Sequence, residues 1–107
     1  MTTQDEELGT RVREALRGVI DPELGFNIVD LGLVYDLFVV DGVAHVTMTA
    51  TSRGCPAAAY LQEGAANSAR VVSGIESVEV RMTFDPPWRP VMMSSGLRAS
   101  LGFGEVS

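Results

Sequence analysis

The dipeptide Asp41-Gly42 is the feature of this sequence that most constrains its fold. It separates two runs rich in β-branched and aromatic residues, 33–40 and 43–49. An Asp-Gly pair between such runs predicts a β-hairpin with a two-residue turn, and a turn of that length also determines which residues face each other across the strands. The expected cross-strand pairs are Val40 with Val43, Val39 with Ala44, Leu37 with Val46, and Tyr35 with Met48.

This pairing divides the hairpin into an apolar face and a mixed face. Burial of one face only is typical of a sheet that carries helices on one side. A third run, 76–84, alternates in the same way and predicts another strand. The side chains expected in the core are Tyr35, Leu37, Val39, Ala44, Val46, Met48, Val78, Val80, Met82 and Phe84. Those expected on the outer face of the hairpin are Asp36, Phe38, His45, Thr47 and Thr49.

Apolar residues at helical spacing predict a helix on each side of the hairpin. The first begins at a capping box, residues 3–6, and is expected to end at Asp21-Pro22, because the residue before a proline is disfavoured in the α conformation. The second is expected to begin at Pro56, a favourable first helical residue, and to end at Gly74.

A short last helix, capped by Ser94 or Ser95, completes the order α-β-β-α-β-α. We therefore predict an α/β protein, an α+β two-layer sandwich in which a three-stranded mixed sheet has the helices on one face. At 107 residues the chain is expected to form one domain, 1–107.

Three turn-rich segments are expected to meet at one edge of this sheet. In an antiparallel hairpin the start of the first strand and the end of the second lie at the same end, and a crossover helix makes the third strand parallel to the second. The connector 21–32, the turn 49–55 and residues 85–88 then leave the sheet together. Ligands tend to bind at the carboxyl edge of an α/β sheet.

The single cysteine, Cys55, lies in the second of these segments, directly before the helix that begins at Pro56. A helix N-terminus stabilises an anion and therefore favours the reactive thiolate, whereas nearby carboxylates would disfavour it. From the local sequence alone, a buried inert cysteine and a functional thiol both remain open. The same is true of the residues expected around it, which also suit turns and helix caps. These site-lining candidates are Asp21, Glu23, Asp30, Thr49 and Thr51.

Composition argues against several classes of function. The net charge is −6 and there is no lysine, which makes a nucleic-acid partner unexpected, and the neighbouring Arg11, Arg13 and Arg17 suit a solvated helix face. No apolar run approaches the roughly 20 residues that cross a bilayer, and the N-terminus does not resemble a signal peptide, so we expect a cytoplasmic protein without membrane contact. The chain has no CxxC pair, phosphate-binding loop or GxSxG motif, and we expect no enzymatic activity.

Three motifs in order resemble the metal–sulfur cluster assembly family, the SufT-like and PaaD-like domain. They are DPELGFNIVDLGLVY at 21–35, TSRGCP at 51–56 and DPPWRPVMMSSGLRASLG at 85–102, and they extend the resemblance over nearly the whole chain. The sequence lacks the cysteine-rich tail of longer PaaD-like members and the nucleotide-binding domain fused to other relatives. A specific role in phenylacetyl-CoA oxygenase maturation and ATP hydrolysis by this chain are therefore not expected.

The resemblance implies a factor in iron–sulfur protein maturation that handles clusters or delivers them to client apoproteins. In that family the cysteine of the TxxxCP turn is the residue most tied to function, which here is Cys55, the implied functional thiol and metal ligand. The acidic positions of the first motif correspond to Asp21, Glu23 and Asp30. The implied cofactor is a transient iron–sulfur cluster, and the implied partners are client apoproteins and other assembly proteins. A homodimer of this chain stays open as a further partner.

The number of thiols limits how a cluster is held. A [2Fe–2S] cluster usually has four protein ligands, and this chain offers one cysteine. A cluster would therefore be shared between two protomers or with a client. Two alternatives remain: an adaptor for a multicomponent oxygenase that binds no metal and works through the sheet face around Phe38 and Val40, and a thiol-redox protein that uses Cys55 without a resolving cysteine.

Overall fold

The computed structural model describes residues 3–51 and 56–101. Within these ranges the chain forms a three-stranded mixed sheet and three α-helices, which confirms the predicted fold class. The elements are α1 (Thr3–Leu16), β1 (Val34–Val40), β2 (Val43–Met48), α2 (Pro56–Arg70), β3 (Ser77–Met82), a 3₁₀ turn (Pro90–Met92) and α3 (Ser95–Leu101). The helices of this part of the chain are all too short or too polar to span a membrane.

The hairpin turn has the backbone geometry that its sequence predicts. Asp41 and Gly42 both have positive φ, at 51° and 80°, as a type I′ turn requires. The pairs Val40–Val43, Val39–Ala44 and Leu37–Val46 are confirmed.

The predicted pair of Tyr35 with Met48 is wrong. The register shifts between Val34 and Asp36, so that Val34 lies opposite Met48 and Tyr35 is the extra residue of a bulge. A bulge turns a side chain away from its regular direction, and the Tyr35 hydroxyl donates a hydrogen bond to the carbonyl oxygen of Pro86 at 2.8 Å.

The sheet has the order β1-β2-β3, with β1 antiparallel and β3 parallel to β2. Helix α1 packs against β1, α2 packs against β3, and the two helices contact each other. Of the ten side chains expected in the core, Val39, Ala44, Val46 and Met48 are fully buried and the other six are half-buried. Three of the four buried residues belong to the central strand β2, whereas five of the six half-buried ones belong to the edge strands β1 and β3.

The outer face of the sheet carries the side chains predicted for it, with one exception. The rings of Phe38 and His45 stack there with their centroids 4.7 Å apart and an interplanar angle of 14°. Thr49, which was expected on this face, follows the end of β2 and is completely buried. The alternation that places residues on two faces ends with the strand, because the chain beyond Met48 no longer follows the pleat.

The helix boundaries differ from the predicted ones at their C-terminal ends. Helix α1 ends at Leu16, and Ile20 instead pairs with Asn27 in an isolated β-bridge. Helix α2 ends at Arg70 rather than at Gly74, which has a φ of 100° in the turn that follows. The cap of α3 is confirmed, because the Ser94 hydroxyl oxygen accepts a hydrogen bond from the Leu97 N–H at 3.3 Å.

Residues 85–94 cross over the connector 21–32 and are bonded to it. The Trp88 indole N–H donates to the Leu31 carbonyl oxygen at 2.6 Å, and the Ser94 N–H donates to that of Asp30 at 2.7 Å. Gly32, with a φ of 78°, lies directly beneath this crossing segment. A Cβ atom at Gly32 would overlap the carbonyl group of Met92.

We predict that Gly32→Ala destabilises the fold by about 3 kcal/mol, because it adds a backbone clash to the strain of positive φ. Gly25→Ala is the matched control, since Gly25 also has a φ of 78° but a Cβ there meets nothing within 4 Å. The control should cost about 1 kcal/mol, for the strain alone. Urea unfolding measures both values, and equal losses in the two variants would contradict the close approach of Met92.

Candidate functional site

The connector 21–32 and the end of β2 are joined by a side-chain hydrogen bond. The Thr51 hydroxyl donates to a carboxylate oxygen of Glu23 at 3.0 Å. Two of the five site-lining candidates, far apart in sequence, are therefore in direct contact at the end of the sheet. Glu23 itself is exposed, so its carboxylate remains accessible to solvent and to a partner.

Asp21 builds the turn that presents Glu23. Its side chain is only 1% exposed, and its Oδ2 accepts a hydrogen bond from the Leu24 N–H at 2.8 Å. Its backbone N–H and carbonyl bond Phe26 and Gly25, which closes the turn. The other carboxylate oxygen, Oδ1, is buried and has no hydrogen-bond partner among the described residues. Asp21 thus combines a structural role with a polar atom that the described residues leave unpaired.

Asp30 faces the end of α1. One of its carboxylate oxygens accepts from the Asn27 amide at 2.9 Å and the other from the Arg17 guanidinium at 2.7 Å. The hydrogen bond from Asn27 and the contact with Arg17 hold the pKa of Asp30 below its usual range, and partial burial opposes this shift. The described residues contain no hydrogen bond between the Asp30 side chain and either Glu23 or Thr51.

Arg17 belongs to this site but was not among the residues predicted for it from the sequence. It lies just beyond the end of α1 and bridges Asp30 and Glu14, whose carboxylate is 3.0 Å from its Nε. Hydrogen bonds to Asp30 and Glu14 raise its pKa. From the sequence, Arg17 was expected on a solvated helix face together with Arg11 and Arg13. It bonds the connector instead because α1 ends at Leu16, one residue before it. Because the sequence predicted that α1 extends to Asp21, nothing in it indicated that Arg17 lies beyond the end of the helix.

Thr49, another of the site-lining candidates, lies in the interior of the domain. It is fully buried, and its N–H donates to the Leu33 carbonyl oxygen at 2.8 Å. Its hydroxyl also contacts the Tyr35 hydroxyl. Burial raises the pKa of Tyr35, and the contact with Thr49 opposes this shift. The contacts of Thr49 are thus with the interior, whereas Thr51 lies at the half-exposed rim beside Glu23.

Cys55 and residues 52–54 lie outside the described residues, so the predicted position of the thiol stays a prediction. The described chain stops at Thr51 and resumes at Pro56, where α2 begins as expected. The first turn of α2 contains no acidic residue. Among residues 3–51 and 56–101, no three His, Cys, Asp or Glu side chains form a group that could hold a metal ion.

The matches to known proteins agree with the two-layer domain described above. The profile of the family described as "Iron-sulfur cluster assembly protein" matches residues 10–82. The chain belongs to that family, as its three motifs predicted.

Two relatives and one solved structure illustrate the similarity. The "Fe-S protein maturation auxiliary factor YitW" of Bacillus subtilis is 39% identical over 99 residues, which cover 92% of this chain and 97% of that protein. The factor named SufT of Staphylococcus aureus is 44% identical over 85 residues, covering 78% and 97%. A crystal structure of a "Domain of Unknown Function DUF59" from Bacillus anthracis has a TM-score of 0.86 at 37% identity, covering 92% and 95%.

We predict that Asn27→Ala raises the pKa of Asp30, because it removes the hydrogen bond that contributes most to the lowered value. A carboxyl group with a lowered pKa stabilises the fold above its unfolded-state pKa and loses that contribution as the pH falls through the folded-state pKa. The destabilisation by Asn27→Ala should therefore be largest at neutral pH and smaller in acid.

Titration of the Asp30 carboxyl by NMR, together with unfolding at neutral and acidic pH, measures both effects. Asn67→Ala is the control, because Asn67 also makes a side-chain hydrogen bond to a charged residue three positions further on, Arg70, but on α2 and away from Asp30. An Asp30 pKa that does not change in Asn27→Ala would contradict the assigned cause.

Proposed function

We propose that this protein acts in the maturation of iron–sulfur proteins, as a factor that carries a cluster transiently and delivers it to client apoproteins through Cys55. The observation that carries this proposal is the similarity to YitW, named a maturation auxiliary factor, over 97% of that protein's length. Because relatives similar over nearly their full length are named as auxiliary factors, we propose a carrier rather than an enzyme, acting in the cytoplasm.

The position of Cys55 in the sequence supports a thiolate role. It directly precedes Pro56, the first residue of a 15-residue helix. The unpaired N–H groups and the dipole at a helix N-terminus stabilise negative charge, and the first turn of α2 carries no carboxylate that would offset this effect.

The charges of the connector bear on whether neighbouring carboxylates oppose that thiolate. Asp30 is paired with Arg17, so its charge is largely compensated. Glu23 has no cationic partner among the described residues and bonds only the neutral hydroxyl of Thr51. Glu23 is therefore the carboxylate that we expect to influence Cys55, both through its negative charge and as an oxygen ligand near the thiol.

The single thiol suggests ligand exchange as the mechanism of delivery. The cluster is cargo, and one iron–thiolate bond to Cys55 holds it together with ligands from a second molecule. A client thiolate then forms a bond to the same iron as the bond to Cys55 breaks, with no change in oxidation state. Sharing between two copies of the chain before delivery is compatible with this scheme, since each copy contributes one thiolate.

We predict that Cys55→Ala and Cys55→Ser both fold, at a cost of about 1 kcal/mol, yet fail to support client maturation. The serine variant keeps the size of the side chain but not its acidity, so it tests whether the negative charge of the thiolate is needed. The measurement is the cluster content of iron–sulfur enzymes in cells whose own gene is replaced by each variant. A folded variant with full activity would instead favour the metal-free adaptor, and the outer sheet face would become the functional surface.

A second prediction concerns Glu23. The single cysteine makes alkylation of this chain specific, so the rate of reaction with iodoacetamide against pH reports the pKa of Cys55. Glu23→Gln should lower that pKa because it removes a negative charge and keeps an oxygen that can accept from Thr51. Glu63→Gln, an exposed site on α2, is the matched control and should leave the pKa unchanged. Equal pKa values of Cys55 in Glu23→Gln and in the unmodified protein would show that Glu23 does not influence the thiol.

A further inference from the structure

A groove lies between the chain that follows α1 and the exposed side of α2. It has a volume of about 290 Å³, and residues 18–20 form one side of it. The other side is the face of α2 that runs from Tyr60 to Ser68. The two sides approach most closely at Gly64, where a Cβ atom would lie 3.3 Å from Val19. We call this feature the α2 groove.

Two large apolar residues that line the α2 groove are exposed. Ile20 is 44% exposed and Tyr60 is 58% exposed, one on each side of the groove. Single exposed apolar residues are ordinary on protein surfaces, but two that line one groove form a surface on which a partner can bury an apolar side chain. The exposed Leu24, next to Glu23, continues this apolar character along the chain into the connector 21–32.

The backbone of Ile20 adds two open hydrogen-bonding groups to this surface. Ile20 and Asn27 form an isolated antiparallel bridge. Its two hydrogen bonds, at 2.9 Å and 3.0 Å, are made by the residues on either side of this pair. In such a pair the N–H and the carbonyl group of Ile20 point away from Asn27. No residue of the described chain bonds either group, so both are open to an extended segment.

The charge of the α2 groove is negative. Glu63 is the only charged residue that lines it, and its exposed carboxylate bonds none of the described residues. The whole chain has a net charge of −6, so a basic segment would be attracted from a distance as well as at contact. Two copies of this chain, each with that net charge, would instead repel each other. The charge therefore favours a basic segment of another protein over a second copy as the occupant.

We propose that the α2 groove docks an extended segment of the client apoprotein, in which apolar side chains lie beside basic ones. An apolar side chain of the segment would pack against Ile20 and Tyr60, and its backbone would bond that of Ile20. Lysine or arginine would meet Glu63. The identity of the occupant rests on the proposed function. Docking there would hold the client next to the connector 21–32, which carries Glu23.

The test uses a short fluorescent peptide of two leucines flanked on each side by two lysines. Binding should slow amide hydrogen exchange at Ile20 by about tenfold, as expected when an open N–H group becomes bonded. A peptide with serine in place of leucine and one with glutamate in place of lysine should not bind. Cys55→Ala should bind the leucine–lysine peptide as tightly as the unmodified chain, because docking does not use the thiol.

Two matched pairs of protein variants locate the binding. Tyr60→Ala should weaken binding of the leucine–lysine peptide about fivefold, whereas Val71→Ala, at an apolar residue that is 82% exposed just beyond α2, should leave it unchanged. Glu63→Lys should also weaken binding about fivefold, and Glu7→Lys, an exposed site on α1, should have little effect.

In cells, Tyr60→Ala should lower the cluster content of client enzymes while the rate at which Cys55 reacts with iodoacetamide stays unchanged. Full activity of Cys55→Ala would refute the thiol role alone, since peptide binding does not depend on it. Four results would overturn the docking proposal. They are no protection at Ile20 at millimolar peptide, equal peptide binding by Tyr60→Ala and Val71→Ala, full client maturation by Tyr60→Ala, and protection without peptide that rises with protein concentration, which would identify a second copy as the occupant.

Discussion

The turn at Asp41-Gly42 is the constraint on which the rest of the structure depends. Both residues have positive φ, and the two-residue turn that they form allows one register of β1 against β2. Because side chains alternate between faces, a shift of one residue would exchange the buried Val39 and Val46 with the outward Phe38 and His45. The packing of both long helices, and the direction in which β2 delivers the chain to Thr51, follow from that register.

The connector 21–32 has its shape because other segments hold it from several sides. Asp21 closes its first turn from inside, Arg17 holds Asp30 from α1, and Trp88 bonds Leu31 from the crossing segment. Gly32 permits that crossing because it has no side chain. A rigid connector keeps Glu23 beside Thr51, which precedes Cys55 by four positions in the sequence. Among the described residues, Arg17 compensates the charge of Asp30, whereas Glu23 has no cationic partner.

The proposed carrier role depends on how weakly a single thiolate can hold its cargo. Transfer of a cluster needs a thiolate that is held weakly enough to be replaced, which suits one cysteine at a helix N-terminus. Glu14 on α1 bonds Arg17, which bonds Asp30, so a chain of ion pairs connects α1 to the connector 21–32.

The sequence by itself determined the elements, their order, the hairpin turn and most of the register, because these depend on local preferences and on the period of the apolar residues. The start of α2 at Pro56 followed from the preference of proline for the first turn of a helix, and the contact of Glu23 with Thr51 followed from element order. Only the tertiary structure decided the bulge at Tyr35, since its hydroxyl bonds Pro86, a residue remote in sequence. It also decided the burial of Thr49 and the pairing of Arg17 with Asp30, because both depend on where the chain leaves a strand or a helix, and local sequence predicts such ends least well.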